Sequence, residues 1–150
     1  MKKGDSITDK NNQLIVATGP RGVGKTSFAL SYLPPSKVDK LVVIDNENSA
    51  NNFRSGINAI GKDFGCYINT MERFKGLPSD DDLMSRIAKG DAPWAGSGEQ
   101  GAFVDYFKYI THEIDQLPRN KYECLVIDTG EKLESGMAAF VEVNKKKFGV

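Results

Sequence analysis

Leu14-Ile15-Val16-Ala17-Thr18-Gly19-Pro20-Arg21-Gly22-Val23-Gly24-Lys25-Thr26 is the stretch that decides the fold. Its first five residues are a short apolar run bounded by Gly19, the pattern of a buried strand in a parallel sheet. Residues 19–26 match G-x-x-x-x-G-K-[ST] at every fixed position. Glycines at these places let the backbone curl so that successive N–H groups point at phosphate oxygens. A helix starting near Lys25 adds its positive N-terminal end. Lys25 then reaches the β- and γ-phosphates of a nucleotide as a point charge, and the Thr26 hydroxyl suits Mg²⁺. The candidate nucleotide-binding residues are therefore Gly19, Pro20, Arg21, Gly22, Val23, Gly24, Lys25, Thr26 and Ser27, with ATP and Mg²⁺ as the expected ligands. Chance alone would produce this pattern in only about one chain of this length in a hundred.

Working outward, residues 26–33 are expected to form a short helix, stopped by Pro34-Pro35. Leu41-Val42-Val43-Ile44 is a second buried-strand candidate. Phe53, Ile57 and Ile60 recur at helical spacing, and Gly61 suits the end of that helix. Cys66-Tyr67-Ile68 is a weaker strand. Ser79, with Asp82 three residues on, resembles a capping box for a helix over 83–89. Asp80-Asp81-Asp82 is better explained by the helix dipole than by a metal, since three consecutive residues cannot all face one ion. Residues 90–101 hold several glycines, Pro93 and Trp94, and read as a mobile loop with the tryptophan anchored on the fold. Phe103, Phe107, Ile110, Ile114 and Leu117 mark an amphipathic helix. Cys124-Leu125-Val126-Ile127 is a further strand, and residues 131–148 are helical in composition. Alternating strands and helices predict an α/β fold with a mainly parallel sheet flanked by helices. In such sheets, ligands sit beyond the carboxyl ends of the strands.

Two of those strand ends are acidic. Asp128 follows an apolar strand downstream of a phosphate loop, where the Mg²⁺-orienting carboxylate of a P-loop enzyme lies. The next residue is Thr129, so no catalytic glutamate stands beside it. Asp45-Asn46-Glu47 ends the other strand. A glutamate there, next to a phosphate loop, is placed to hold a water near the γ-phosphate. Asn46 and Asn48 are secondary candidates for orienting that water.

From the phosphate loop through Val43-Ile44-Asp45-Asn46-Glu47 to Leu125-Val126-Ile127-Asp128-Thr129, the order of elements resembles RecA-like P-loop ATPases. The nearest likeness is to phage RecA-like nucleotide-binding proteins, some of which act in single-strand annealing. The resemblance implies a RecA-like P-loop NTPase fold and an ATP hydrolase with Lys25 and Glu47 as catalytic residues, Glu47 polarising the attacking water. It implies Thr26 and Asp128 at the metal, and single-stranded DNA and identical subunits as partners. It places the protein in the cytoplasm, that of a bacterial host if phage-encoded. Asn48 stands where recombinases commonly have glycine, and residues 66–122 match no motif. RecA-like sheets carry one more strand, between the phosphate-loop strand and the Asp128 strand. No apolar run after Asp128 supplies it, so residues 14–150 are expected to be a nucleotide-binding domain truncated at its C-terminal end, behind a flexible stretch 1–13.

Two other classes fit the same loop. A small-molecule kinase would use Asp45 or Glu47 to hold an acceptor hydroxyl, with 90–101 as a lid. A non-hydrolysing module would bind ATP as an assembly switch. Guanine specificity is unsupported, since Asn144-Lys145-Lys146-Lys147 lacks the aspartate that reads the base. With 150 residues, the chain fits one domain. Its formal net charge of zero gives no global field for nucleic acid, and Lys145 to Lys147 form the best local basic patch. One histidine, His112, excludes a multi-histidine metal site and is expected to face solvent. Two cysteines are too few for a disulfide framework. No segment is apolar enough over the ~18 residues that a membrane helix needs.

Overall fold

A computed structural model of the chain describes residues 13–149 apart from 21, 60 and 97. Its centre is a three-stranded parallel sheet of β1 (Leu41–Asp45), β2 (Cys66–Asn69) and β3 (Cys124–Asp128), in the order β2-β1-β3. Every residue of β1 is buried, as expected of a central parallel strand covered on both faces. The register pairs Val43 with Tyr67 and Val126, and Asp45 with Asn69 and Asp128. The three strands therefore finish level, and Asp45 and Asp128 arrive side by side at the carboxyl edge.

Helices cover both faces. On one, Leu41, Val43 and Val126 pack with Leu30 of α1 (Lys25–Leu30) and with Ala50 and Ile57 of α2 (Ala50–Ala59). On the other, Ile44 packs with Leu83 of α3 (Asp80–Ala88), Phe103, Tyr106 and Ile110 of α4 (Glu99–Asp115), and Ala139 of α5 (Glu131–Val143). The period-2 alternation of β1 sends Val43 and Ile44 into different cores. Continued past the strand, it turns Asp45 toward α2 and Asn46 toward α4.

The expected strand at 14–18 does not form. Leu14, Ile15 and Val16 are exposed, at 91%, 50% and 74%. Both edges of β1 are taken by β2 and β3, and the free edge that this run faces is the outer edge of β3. A cavity of about 490 Å³ separates them, with Leu14, Ile15 and Ala17 on one wall and Leu125, Val126 and Ile127 on the other. An apolar run becomes a strand only when a backbone partner satisfies its N–H and C=O groups, and none is within reach here. The missing neighbour also leaves Leu125 40% exposed.

Smaller differences are local. Helix α1 ends at Leu30, because Ser31 turns its hydroxyl back onto the Ser27 carbonyl at 2.6 Å and a 3₁₀ helix, Pro35–Lys40, takes over. Ile60 and Arg21 lie outside the described residues, but Gly61 has φ 77°, as a glycine that ends a helix should. Ser79 caps α3 by accepting from the Asp82 N–H at 3.2 Å. The 90–101 stretch is tethered. Arg86 donates to the Pro93 carbonyl and the Glu99 carboxylate, and Trp94 packs on the second core. His112 is exposed.

Gly65 marks a close approach of backbones. Its N–H donates to the Leu41 carbonyl at 2.9 Å, and a Cβ there would strike the Asp39 carbonyl and lie 2.8 Å from the Tyr122 ring. Gly65→Ala is expected to destabilise the protein by about 1–3 kcal/mol. Chemical denaturation checks this, and an unchanged midpoint would contradict it.

Candidate functional site

The phosphate loop bends as its glycines allow, with positive φ at Gly22 (85°) and Gly24 (93°). Gly24 is the N-cap of α1, so the helix starts with its first N–H groups open toward the loop. Lys25 lies at the first helical position. Its ammonium donates to the Gly19 and Pro20 carbonyls, each at 2.8 Å, and spans the mouth of the loop.

Thr26 joins the loop to the sheet. Its hydroxyl donates to Asp128 Oδ2 at 2.8 Å. The Ser49 hydroxyl donates to the same oxygen at 2.7 Å. The two candidate metal residues thus meet, and Ser49 joins them from the loop after β1. One carboxylate and two hydroxyls form a hard-oxygen set of the kind that suits Mg²⁺, which takes few protein ligands and keeps waters and phosphate oxygens. Among the described residues, no three carboxylate, imidazole or thiol groups converge as a complete cage.

The Asp45-to-Ser49 loop is built by Asp45. Its fully buried carboxylate accepts from the N–H groups of Glu47, Ser49 and Ala50 and from the Tyr67 hydroxyl. Burial, then the bond to Asp45, pushes Tyr67 up to about 12, so it remains a donor. With both oxygens engaged, Asp45 is not free to hold an acceptor hydroxyl. Asn48 takes the left-handed conformation, φ 61°. Asparagine tolerates this better than most residues, so it occupies a backbone position that glycine adopts without cost. The Asn48 side chain accepts from Asn69 Nδ2 at 2.9 Å.

Asn46 does not face water. It is fully buried, and its side chain donates to the Thr129 carbonyl at 2.7 Å and accepts from the Thr70 and Tyr106 hydroxyls at 2.8 Å each. Burial holds the Tyr106 phenol far above its ordinary range, fixing it as a donor. The Asn46 carbonyl accepts from buried Lys132 at 2.9 Å. Asn46 thereby ties the loop to β3, α4 and α5. Asn46→Ala would leave the half-buried Thr129 carbonyl and the buried Tyr106 hydroxyl without this partner, and Thr70 with only its long bond to the Asp45 carbonyl. At about 1–3 kcal/mol each, the expected loss is roughly 3 kcal/mol or more, read by urea denaturation. A loss below about 1 kcal/mol would contradict this role.

Glu47, half-buried, stands in a field of acids. Its carboxyl is pushed up to about 8, first by hydrogen bonding to Asp80, then by burial, then by the negative charges of Asp80, Asp128 and Glu131. Asp80 Oδ1 and Glu131 Oε2 are buried and find no N–H or hydroxyl donor. Asp80, Ser49 and Lys132 escape a reading of the sequence. The one legible signal was Lys132, which shares a helical stripe with buried Ser135, Gly136 and Ala139. Lys145, by contrast, lies in the exposed run and pairs with Glu142 at 2.7 Å.

A glycine-rich loop opening a helix, beside the carboxyl ends of a parallel sheet flanked by helices, defines a P-loop NTPase fold. The chain belongs to the AAA domain family, a family of nucleotide-binding ATPase domains whose model matches residues 11–149. No curated protein and no solved structure matches it. Among the described residues, no helix is long and apolar enough to cross a membrane.

Proposed function

We propose that this chain is a RecA-like ATPase that binds ATP with Mg²⁺ at residues 19–27 and hydrolyses it. The observation that carries this reading is the Thr26–Asp128 hydrogen bond, 2.8 Å, which sets the phosphate loop against the end of β3. The backbone N–H groups of the loop and Lys25 hold the phosphates. Thr26 and Asp128 hold Mg²⁺, with Ser49 keeping Asp128 oriented from its other side. When bound, Mg²⁺ neutralises charge on the phosphate oxygens. Glu47, once ionised, accepts a proton from the attacking water. The chemistry is positioning and electrostatic stabilisation, with little covalent work for the protein.

The resemblance to phage RecA-like proteins supports a role in DNA recombination or single-strand annealing, with identical subunits and single-stranded DNA as partners. The kinase reading loses one of its two residues, because Asp45 is consumed in building its own loop.

The test is phosphate release from ATP by the full chain with Mg²⁺, with and without single-stranded DNA, at two salt concentrations. Release without any hydroxyl acceptor, stimulated by DNA and weakened by salt, is the expected result. Release that requires an added acceptor, or none at all, would overturn the proposal.

A further inference from the structure

Past the carboxyl end of β2, the chain turns through residues 71–77 and comes against α4. Helix α4 buries Phe103, Tyr106 and Ile110. Asp105, Lys108, Tyr109 and His112 recur at spacings of three and four, so they make a second stripe on the same helix. Tyr109 is half-buried and the other three are exposed. This stripe meets Arg73 and Phe74 around an open depression of about 590 Å³.

Aromatic rings join the two segments. The Phe74 ring centroid lies 5.4 Å from those of Tyr106 and Tyr109, edge-on to the first. The Arg73 guanidinium lies over the Tyr109 ring, 4.3 Å from its centroid, which seats a flexible cation on a packed ring. The Phe74 N–H donates to the Thr70 carbonyl at 3.0 Å. Thr70 and Tyr106 both donate to the Asn46 side chain. The depression is therefore built on the residues that anchor the 45–49 loop, and none of its lining residues belongs to the phosphate loop.

Its positive charge is uncommitted. Arg54 pairs with Asp63 and Arg86 with Glu99. Among the described residues, no such ion pair engages Arg73 or Lys108. Asp105 shares the depression and repels phosphate, which leaves Arg73, Lys108 and His112 as its anion-binding side. Cations set around aromatic rings suit a single strand: the cations take phosphates, and unstacked bases lie on rings or on guanidinium planes. A duplex keeps its base faces inside and offers such a surface mainly its phosphates.

We propose that this depression binds single-stranded nucleic acid, with Arg73 and Lys108 on backbone phosphates and a base lying against the Arg73 guanidinium or the His112 ring. This rests on the reading of single-stranded DNA as a partner. DNA and RNA share the phosphates and base faces involved.

The experiment measures binding of the full chain to fluorescein-labelled oligothymidylate of about 20 residues by anisotropy, over a series of salt concentrations. Oligouridylate and duplex DNA of the same length are the comparison probes. The variants are Arg73→Ala/Lys108→Ala, Arg73→Lys and Lys146→Ala/Lys147→Ala, each checked by thermal unfolding. Every phosphate contact with a single strand adds about 0.7 to the logarithmic salt slope. Arg73→Ala/Lys108→Ala should therefore lose about 1.4 from that slope, and at least about tenfold in affinity at low salt. Arg73→Lys keeps the charge but not the plane, so it should retain the slope and lose about threefold or more in affinity. The duplex should bind more weakly than the single strand. Wild-type affinity and slope in Arg73→Ala/Lys108→Ala would overturn the inference. Duplex binding as tight as single-strand binding, or a loss confined to Lys146→Ala/Lys147→Ala, would overturn it too. Should the double variant not fold, Lys108→Ala decides through the slope alone, an unchanged slope overturning it. No binding of either single strand by the wild-type chain would sink the partner reading itself. Tighter binding of oligouridylate would support the site and overturn DNA as its occupant.

Discussion

Glu47→Gln is expected to cut ATP turnover by about 100- to 10,000-fold, the range a positioned general base contributes, while ATP affinity stays within about threefold. Glutamine has the same shape and still donates to Asp80, so the loop is retained. It cannot accept a proton from water. Steady-state phosphate release together with equilibrium ATP binding separates the two effects, and turnover within about twofold of wild type would reject the assignment. The same residue sets a pH dependence. Its carboxyl is pushed up to about 8, and only the ionised form is a base. The pH profile of kcat/KM, which reports the free enzyme, should therefore rise with pH, its basic plateau lying above that value. A rate already flat from about pH 6 upward would contradict the acid pairing.

Lys25→Ala has the other large effect, on binding itself. A hydrogen bond to a charged partner is worth about 1.5–3 kcal/mol. At about 1.4 kcal/mol per factor of ten, ATP affinity should fall about 10- to 100-fold. Folding should be almost untouched, because the Lys25 ammonium is exposed and bonds only the Gly19 and Pro20 carbonyls. Calorimetric titration with ATP and thermal unfolding of the same sample distinguish the two. An unfolded variant, or one with unaltered affinity, would contradict the phosphate-loop account.

Much of the site's framework was legible in the sequence because short-range rules govern it. The phosphate loop is a local glycine pattern. The continuous apolar runs at 41–44 and 124–127 became the central and edge strands, and each ended in the aspartate that its turn allowed. The expected strand at 14–18 failed because strand formation is not local. Leu14, Ile15 and Val16 have the right composition, but no backbone edge lies close enough to pair with them. By its sequence neighbours alone, Asp80 is a helix-dipole residue. Its burial against Thr129 depends on α3 packing across the sheet ends, and no spacing rule encodes that. Ser49 was hidden for a similar reason. Asp45 folds the loop back through three N–H groups, and only then does the Ser49 hydroxyl meet Asp128. Asn46 and Asn48 have the chemistry of water ligands, yet one is a buried junction and the other supplies a left-handed turn.

The central claim is nucleotide binding at the loop joined to Asp128 through Thr26. Its most direct test is a calorimetric titration of the full chain with ATP, with and without Mg²⁺. One saturable site, tightened by Mg²⁺ and weakened in both Lys25→Ala and Asp128→Asn, is the predicted result. No saturable binding, or binding indifferent to Mg²⁺ and to both substitutions, would contradict it.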